Sequence, residues 1–337
     1  MFDIITFGSA SIDIHLKSDG FKILKNNNNF VAGDGICLNL GSKIDVEDIE
    51  FSSGGGGTNT AATFTKQGFK TAFCGAVGSD IAGKEIIEEL KKIKINTGLI
   101  LKTKERETNH SIVISSKGED RTILVYRGAS ELLTGKKVPW NKLKTKWIYL
   151  APLSGSLCDI FEALVDFAHK NKIKIAANPG NSQLSLPKEK LENILKKVDV
   201  LFLNQEEASI LTKIPFAKEH EIFKKIDEIC PGVAVMTKGG EGVVASDGKY
   251  LYRAEPYSDG IVVDTTGAGD SFASGFISDY IRHNGDIEKA IQLGMANSKA
   301  CLLEVGAKNG LLDKNAAFKR VIVTKEECGE NNICLKK

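Results

Sequence analysis

The 337 residues are 42% hydrophobic and 26% charged, with a formal net charge of +2. That is the balance of a globular chain with ample core material, and not that of a nucleic-acid surface or a polybasic membrane patch. No apolar run approaches the ~18 residues that span a bilayer, and no leader-like segment opens the chain, so a cytoplasmic protein with neither nucleic-acid nor membrane partners is expected.

In chain order, the run IITFG over 4–8 reads as a strand buried on both faces. Asp13 follows it by a few residues, near the edge where open α/β sheets bind ligands. Alone it reads as a surface acid, although a carboxylate there suits paired hydroxyls. Residues 14–50 hold the polar run Asn26 to Asn29, expected to be a loop tip, and then the strand-like ICLNL; together they suggest an insertion with a small appended sheet. SSGGGGTNTA over 52–61 runs into a helix expected at about 57–67. Glycines at a helix start followed by Asn59 offer backbone and an amide to a polyhydroxy ligand. The stretch is neither a Walker loop nor a dinucleotide fingerprint, and a flexible linker is its plainest alternative. The strand KTAFCGAV, a helix over about 80–92, and the hairpin SIVISS-KGED-RTILVY come next.

From Trp147 onward, apolar strands of about five residues alternate with helices, which implies a mostly parallel sheet covered on both faces. Strand-rich patches near 10–45 and 108–128 interrupt this rhythm, and no linker divides the chain. LNQEEA places Asn204 and Glu207 at a helix start, either as cap and dipole partner or as a pair ordering Mg²⁺ through its waters. MTKGGEG over 236–242 is a hairpin turn or backbone along which a nucleotide lies. DTTGAGD over 264–270 opens an apolar helix whose first N–H groups lack intrahelical partners and face an anion. A carboxylate beside bound phosphate is costly, so Asp270 makes sense there if it faces a hydroxyl that gives up its proton. Otherwise it merely complements the helix dipole. The seven cysteines form no CxxC pair, which argues against a zinc site or a disulfide framework.

DTTGAGD resembles the C-terminal signature of the ribokinase-like (PfkB-type) carbohydrate kinases, and GGGGTNTA with Gly68, Gly75, Gly78 and Asp80 resembles their N-terminal one. Asp13, Asn204 to Glu207 and Thr237 to Gly242 stand in matching order, so the resemblance covers about residues 3–312. It implies an α/β fold, a three-layer α/β/α sandwich in one domain over 1–337, with a β-sheet lid from strands within about 10–45 and 108–128. It also implies ATP as donor, Mg²⁺, and in some members a monovalent cation such as K⁺.

Carried over residue by residue, Asp270 would be the base and Gly267, Ala268 and Gly269 the anion hole. Asp13, Ser11, Gly55, Gly56, Gly57, Asn59 and Arg127 would hold the acceptor. Asn204, Thr237, Gly239 and Gly242 would follow the ATP phosphates and ribose, with Asn297, Gly306 and Ala307 near the adenine. Asn204 and Glu207 would hold Mg²⁺ through water, and Asp264 and Thr266 the monovalent cation. Two positions depart from the ribose kinases: Gly56 replaces a lysine, and Ser154 stands where an acid is usual. Arg121 or Arg127 would reach an acidic or extended substrate, or else lie in solvent. The implied activity is phosphoryl transfer from ATP to a sugar hydroxyl. A nucleoside kinase, a 2-keto-3-deoxygluconate-type kinase and a catalytically silent binding regulator are alternatives, and FGSASID lacks the fingerprint of an NAD-dependent dehydrogenase. Lid strands of this family pair between subunits, so a homodimer through the lid is a further expectation.

Overall fold

The computed structural model describes residues 1–24, 35–116, 121–258 and 262–327. The asparagine run, the KGED turn, Cys328 and Cys334 lie outside them. The five described cysteines are free thiols.

A nine-stranded sheet forms the middle layer. From one edge its parallel part runs Thr71–Cys74, Phe2–Phe7, Thr145–Leu150, Lys174–Ala177, Val200–Asn204 and Val233–Thr237. Val243–Ser246, Tyr250–Ala254 and Val323–Glu327 extend it antiparallel at the other edge. Period-two alternation sorts the strand side chains between two cores. Ile5, Phe7, Ile148, Leu150, Ile175 and Leu201 join one core with helices Phe161–Lys170 and Glu219–Ile229. Ile4, Tyr149, Ala176, Val200 and Phe202 join the other, under helices Gly56–Lys66, Ala268–Arg282 and Ile287–Leu302. The result is an α/β/α sandwich, and no helix among the described residues is long and apolar enough to cross a membrane.

A four-stranded lid sheet runs Thr122–Tyr126, Asn109–Ser115, Ser11–Lys17, Asp48–Gly54. Its fourth strand lies beyond the 10–45 patch expected to supply it, because the alternation there is weak: Asp48 to Phe51 are all exposed. Of ICLNL only the first two residues are in a strand, Gly35–Cys37, which pairs with Lys22–Leu24 as a separate ladder. Register sets Ser11 opposite Gly54 and Asp13 opposite Ser52.

Asp80 joins lid to core. Its carboxylate accepts the Gly83 N–H (2.8 Å), capping helix Ile81–Lys92, and both the N–H (2.8 Å) and hydroxyl (2.6 Å) of Thr108, at the foot of a lid strand. Burial raises this carboxyl, but the hydrogen bonds from Thr108 and Gly83 outweigh it and hold the pKa at about 2.

Candidate active site

Two helix N-termini converge above the carboxyl edge of the parallel strands. One side of the cleft is built on helix Gly56–Lys66. Asn59, 5% exposed, donates its amide to Asp270 Oδ2 at 2.9 Å, while its own Oδ1 is buried without a partner among the described residues. A buried amide oxygen left open is unusual, and the hydroxyl of a bound molecule would satisfy it. Asp13, 6% exposed, accepts the Ser11 hydroxyl at 3.0 Å. The loop beside it packs at backbone distance: a Cβ on Gly54 would lie 1.9 Å from Asp13 Oδ2. At Gly56 a Cβ would sit 3.3 Å from Asp270 Oδ1 and 3.0 Å from the Ala151 Cβ.

Asp270 stands in the first turn of helix Ala268–Arg282. Burial pushes its carboxyl above the ordinary carboxylate range, the Asn59 amide pulls it partly back, and the negative charge of Asp13 pushes it up again. A carboxylate of raised basicity, oriented by an amide and set in the first turn of a helix, is equipped to take a proton from a hydroxyl. Beside it the chain turns through Gly267 in the left-handed region (φ 79°), where a Cβ would meet the Ala307 Cβ at 2.4 Å. The Gly269 and Asp270 N–H groups, in the first helical turn, have no intrahelical acceptor, and a Cβ on Gly269 would meet nothing within 4 Å. The arrangement suits an anion held by backbone at the positive end of a helix.

From this cradle a cavity of about 430 Å³ leads away between Thr237, Gly240, Tyr257, Met295 and Ser298. Gly239 and Gly242 also line it, and Ala268 and Gly269 close its inner end. Lys299 sits 4.4 Å over the Tyr257 ring to form one wall. Tyr257 carried no sequence signal, because it lies in a loop outside every motif.

Other expected nucleotide residues lie elsewhere. Asn297 is fully buried, donating to Thr63 Oγ1 (3.2 Å) and the Ser271 carbonyl (2.8 Å) and accepting the Leu312 N–H (2.9 Å). The stripe that faces the cavity is Met295, Ser298, Lys299 and Leu302, at helical spacing, so position 297 turns into the core. Asn204 and Glu207 form a capping box at 2.8 Å in both directions. Burial raises the Glu207 carboxyl, the Asn204 and Asn178 hydrogen bonds oppose it, and Glu206 and Asp270 add to the rise. Gly306 donates its N–H to Asp264 Oδ2 at 3.0 Å. Asp264 Oδ1 also accepts the Thr266 N–H (2.9 Å), the Thr266 hydroxyl (2.7 Å) and the Arg121 guanidinium (2.9 Å). Burial raises this carboxyl, but the Gly306 and Thr266 hydrogen bonds and the nearby His15 outweigh it and leave it below the usual range. On the lid, Arg127 donates to the Ser154 hydroxyl.

The family model for pfkB family carbohydrate kinases matches residues 1–315. The chain belongs to that family. It is 26% identical over 283 residues to a ribokinase of Haemophilus influenzae, covering 80% of this chain and 88% of that protein. It is likewise 26% identical over 272 residues to a nucleoside kinase of Methanothermobacter thermautotrophicus, covering 79% and 84%. Among solved structures, a ribokinase from Thermotoga maritima superposes with a TM-score of 0.76 at 22% identity, covering 93% of this chain and 97% of that one. An Arabidopsis thaliana ribokinase complexed with ribose and ATP gives 0.74 at 21% identity, covering 93% and 96%. These likenesses show the ribokinase fold. This family member is a phosphotransferase, a carbohydrate or nucleoside kinase.

Proposed function

We propose that the chain transfers the terminal phosphoryl group of ATP to a hydroxyl of a sugar, with Asp270 as the base. The observation that carries this reading is the Asn59–Asp270 pair at 2.9 Å, which joins the polyol-binding loop to the phosphoryl-binding helix. The acceptor lies against Asp13, Ser11, Gly55, Gly56, Gly57 and the open Oδ1 of Asn59. Its attacking hydroxyl faces Asp270, which accepts the proton as the bond to phosphorus forms. Residues 267–269 take up the charge on the transferring group through backbone N–H donors. Positioning and fixed dipoles then lower most of the barrier. ATP lies along Thr237, Gly239 and Gly242 with its base against Tyr257.

Mg²⁺ would neutralise charge on the ATP phosphates. The described residues contain no cluster of three or more His, Cys, Asp or Glu able to hold a metal. That fits an ion carried mainly by phosphate and water, with the raised Glu207 carboxylate beside Asn204 as its outer partner. K⁺ does not fit as the donors stand, because Asp264 Oδ1 and Thr266 Oγ1 both accept from Arg121.

A nucleoside acceptor is the second reading, favoured by the missing side chain at Gly56 and by the nucleoside kinases among the relatives. An ATP-consumption screen over ribose, fructose, 2-keto-3-deoxygluconate, adenosine, inosine and cytidine tests both, and no turnover on any of them would favour a silent binding protein. We also propose a homodimer through the lid, whose edge strand exposes Ile123, Leu124, Val125 and Tyr126. A monomer mass in sedimentation equilibrium would exclude it.

A further inference from the structure

The two side-chain oxygens expected to face a monovalent cation face a guanidinium instead. Arg121, the residue that enters the lid strand Thr122–Tyr126, donates from Nη1 to Asp264 Oδ1 at 2.9 Å and to Thr266 Oγ1 at 3.1 Å. The two partners are 143 residues apart in sequence. The Asp264 side chain is 7% exposed and that of Arg121 27%. A carboxylate so enclosed needs a paired positive charge as well as neutral donors. Its neutral donors are the Gly306 and Thr266 N–H groups and the Thr266 hydroxyl. Of the side chains around it, His15 of the lid strand Ser11–Lys17 is near enough to be felt, and Arg121 makes the direct ion pair. A metal cation bound to those same oxygens would have to lie against the guanidinium, and two like charges in a half-buried site repel strongly. The site therefore holds one or the other.

We infer that Arg121 is the resident counter-charge of Asp264, and that it makes turnover independent of monovalent cations. It acts as a positioning residue, through the loop it holds. Asp264 and Thr266 directly precede the 267–269 cradle, so the ion pair fixes the approach to the anion hole and cancels a negative charge beside it. Because the guanidinium comes from the lid, seating the lid and completing the cradle are one event. This lid–cradle link goes beyond the kinase reading, although its activity arm rests on that reading.

The test uses the full chain in tetramethylammonium buffer, with and without K⁺. Wild-type kcat should change less than about twofold with K⁺. Arg121→Ala should lose about 10- to 100-fold without K⁺ and regain at least about tenfold at roughly 100 mM K⁺. Arg121→Gln, which keeps hydrogen-bond donors and volume, should behave the same way if the alanine variant folds poorly. Thermal unfolding gives a readout that needs no turnover: K⁺ should leave the wild-type Tm where tetramethylammonium puts it and should raise that of Arg121→Gln by about 2–4 °C. Activation of the wild type by K⁺ of tenfold or more would overturn the inference. So would an Arg121→Gln protein whose rate and Tm response match wild type. If no acceptor is turned over, the kinase reading fails by itself and the Tm comparison still decides the role of Arg121.

Discussion

Glycines line both sides of the cleft, but not all for the same reason. On the proposed acceptor side, a methyl group on Gly54, Gly55 or Gly57 would run into Asp13 Oδ2 at 1.9 Å, the Ser9 carbonyl oxygen at 2.5 Å or the Phe73 ring at 2.5 Å. On the proposed nucleotide side the glycines are mixed: Gly267 and Gly242 are filled, by the Ala307 Cβ at 2.4 Å and the Ala254 carbonyl oxygen at 2.1 Å, but a methyl on Gly239, Gly240 or Gly269 would meet nothing within 4 Å. The first set lets the protein close on itself and hold Asp13 and Asn59 in place. The open glycines leave room beside exposed backbone donors, where a phosphate can lie. Substitutions at filled and open positions should therefore fail differently.

Among the glycines the largest effect on stability is expected at Gly57. Phe73 is fully buried, so its ring has little room to retreat, and Gly57→Ala should cost about 3 kcal/mol of stability, read as a lower urea midpoint. Gly269→Ala should do the reverse. Alanine in a first helical turn gains up to ~1 kcal/mol in propensity, so the midpoint should hold or rise. Its kcat should fall about 10²-fold as the methyl intrudes on the phosphoryl cradle. Gly240→Ala, further out along the cavity, should raise the nucleotide KM about three- to tenfold with kcat nearly unchanged. If Gly57→Ala kept full stability, or Gly269→Ala unfolded, the contrast between filled and open glycines would collapse.

Much of this was legible from residue order. The apolar run at 4–8 becomes the strand Phe2–Phe7, one in from an edge of the main sheet, and the helix expected at 80–92 is Ile81–Lys92. The two glycine clusters lie at helix starts as read, because glycine followed by an apolar period has few other outcomes. Whether a glycine is filled or open is written in the residues around it, which come from distant segments: Phe73 for Gly57, Ala307 for Gly267. The same limit applies to Asn297, whose direction depends on which side of its helix meets the sheet. It applies again to Arg121, whose partner only the lid's fold brings near. The strand Val323–Glu327 pairs Tyr250–Ala254 although most of its residues are exposed and polar, a pairing no apolar pattern announces.

Asp270 carries the proposed chemistry, and one variant tests its role on two axes. Burial and Asp13 raise its carboxyl in the folded state. Its ionised form therefore costs stability, a cost absent below the unfolded pKa and complete once pH rises through the folded one. Asp270→Asn should lower kcat about 10²- to 10⁴-fold while raising the Tm at neutral pH, with the gain shrinking as the solution is acidified. Near wild-type turnover in that variant, on whichever acceptor the wild type uses, would contradict the assignment of the base.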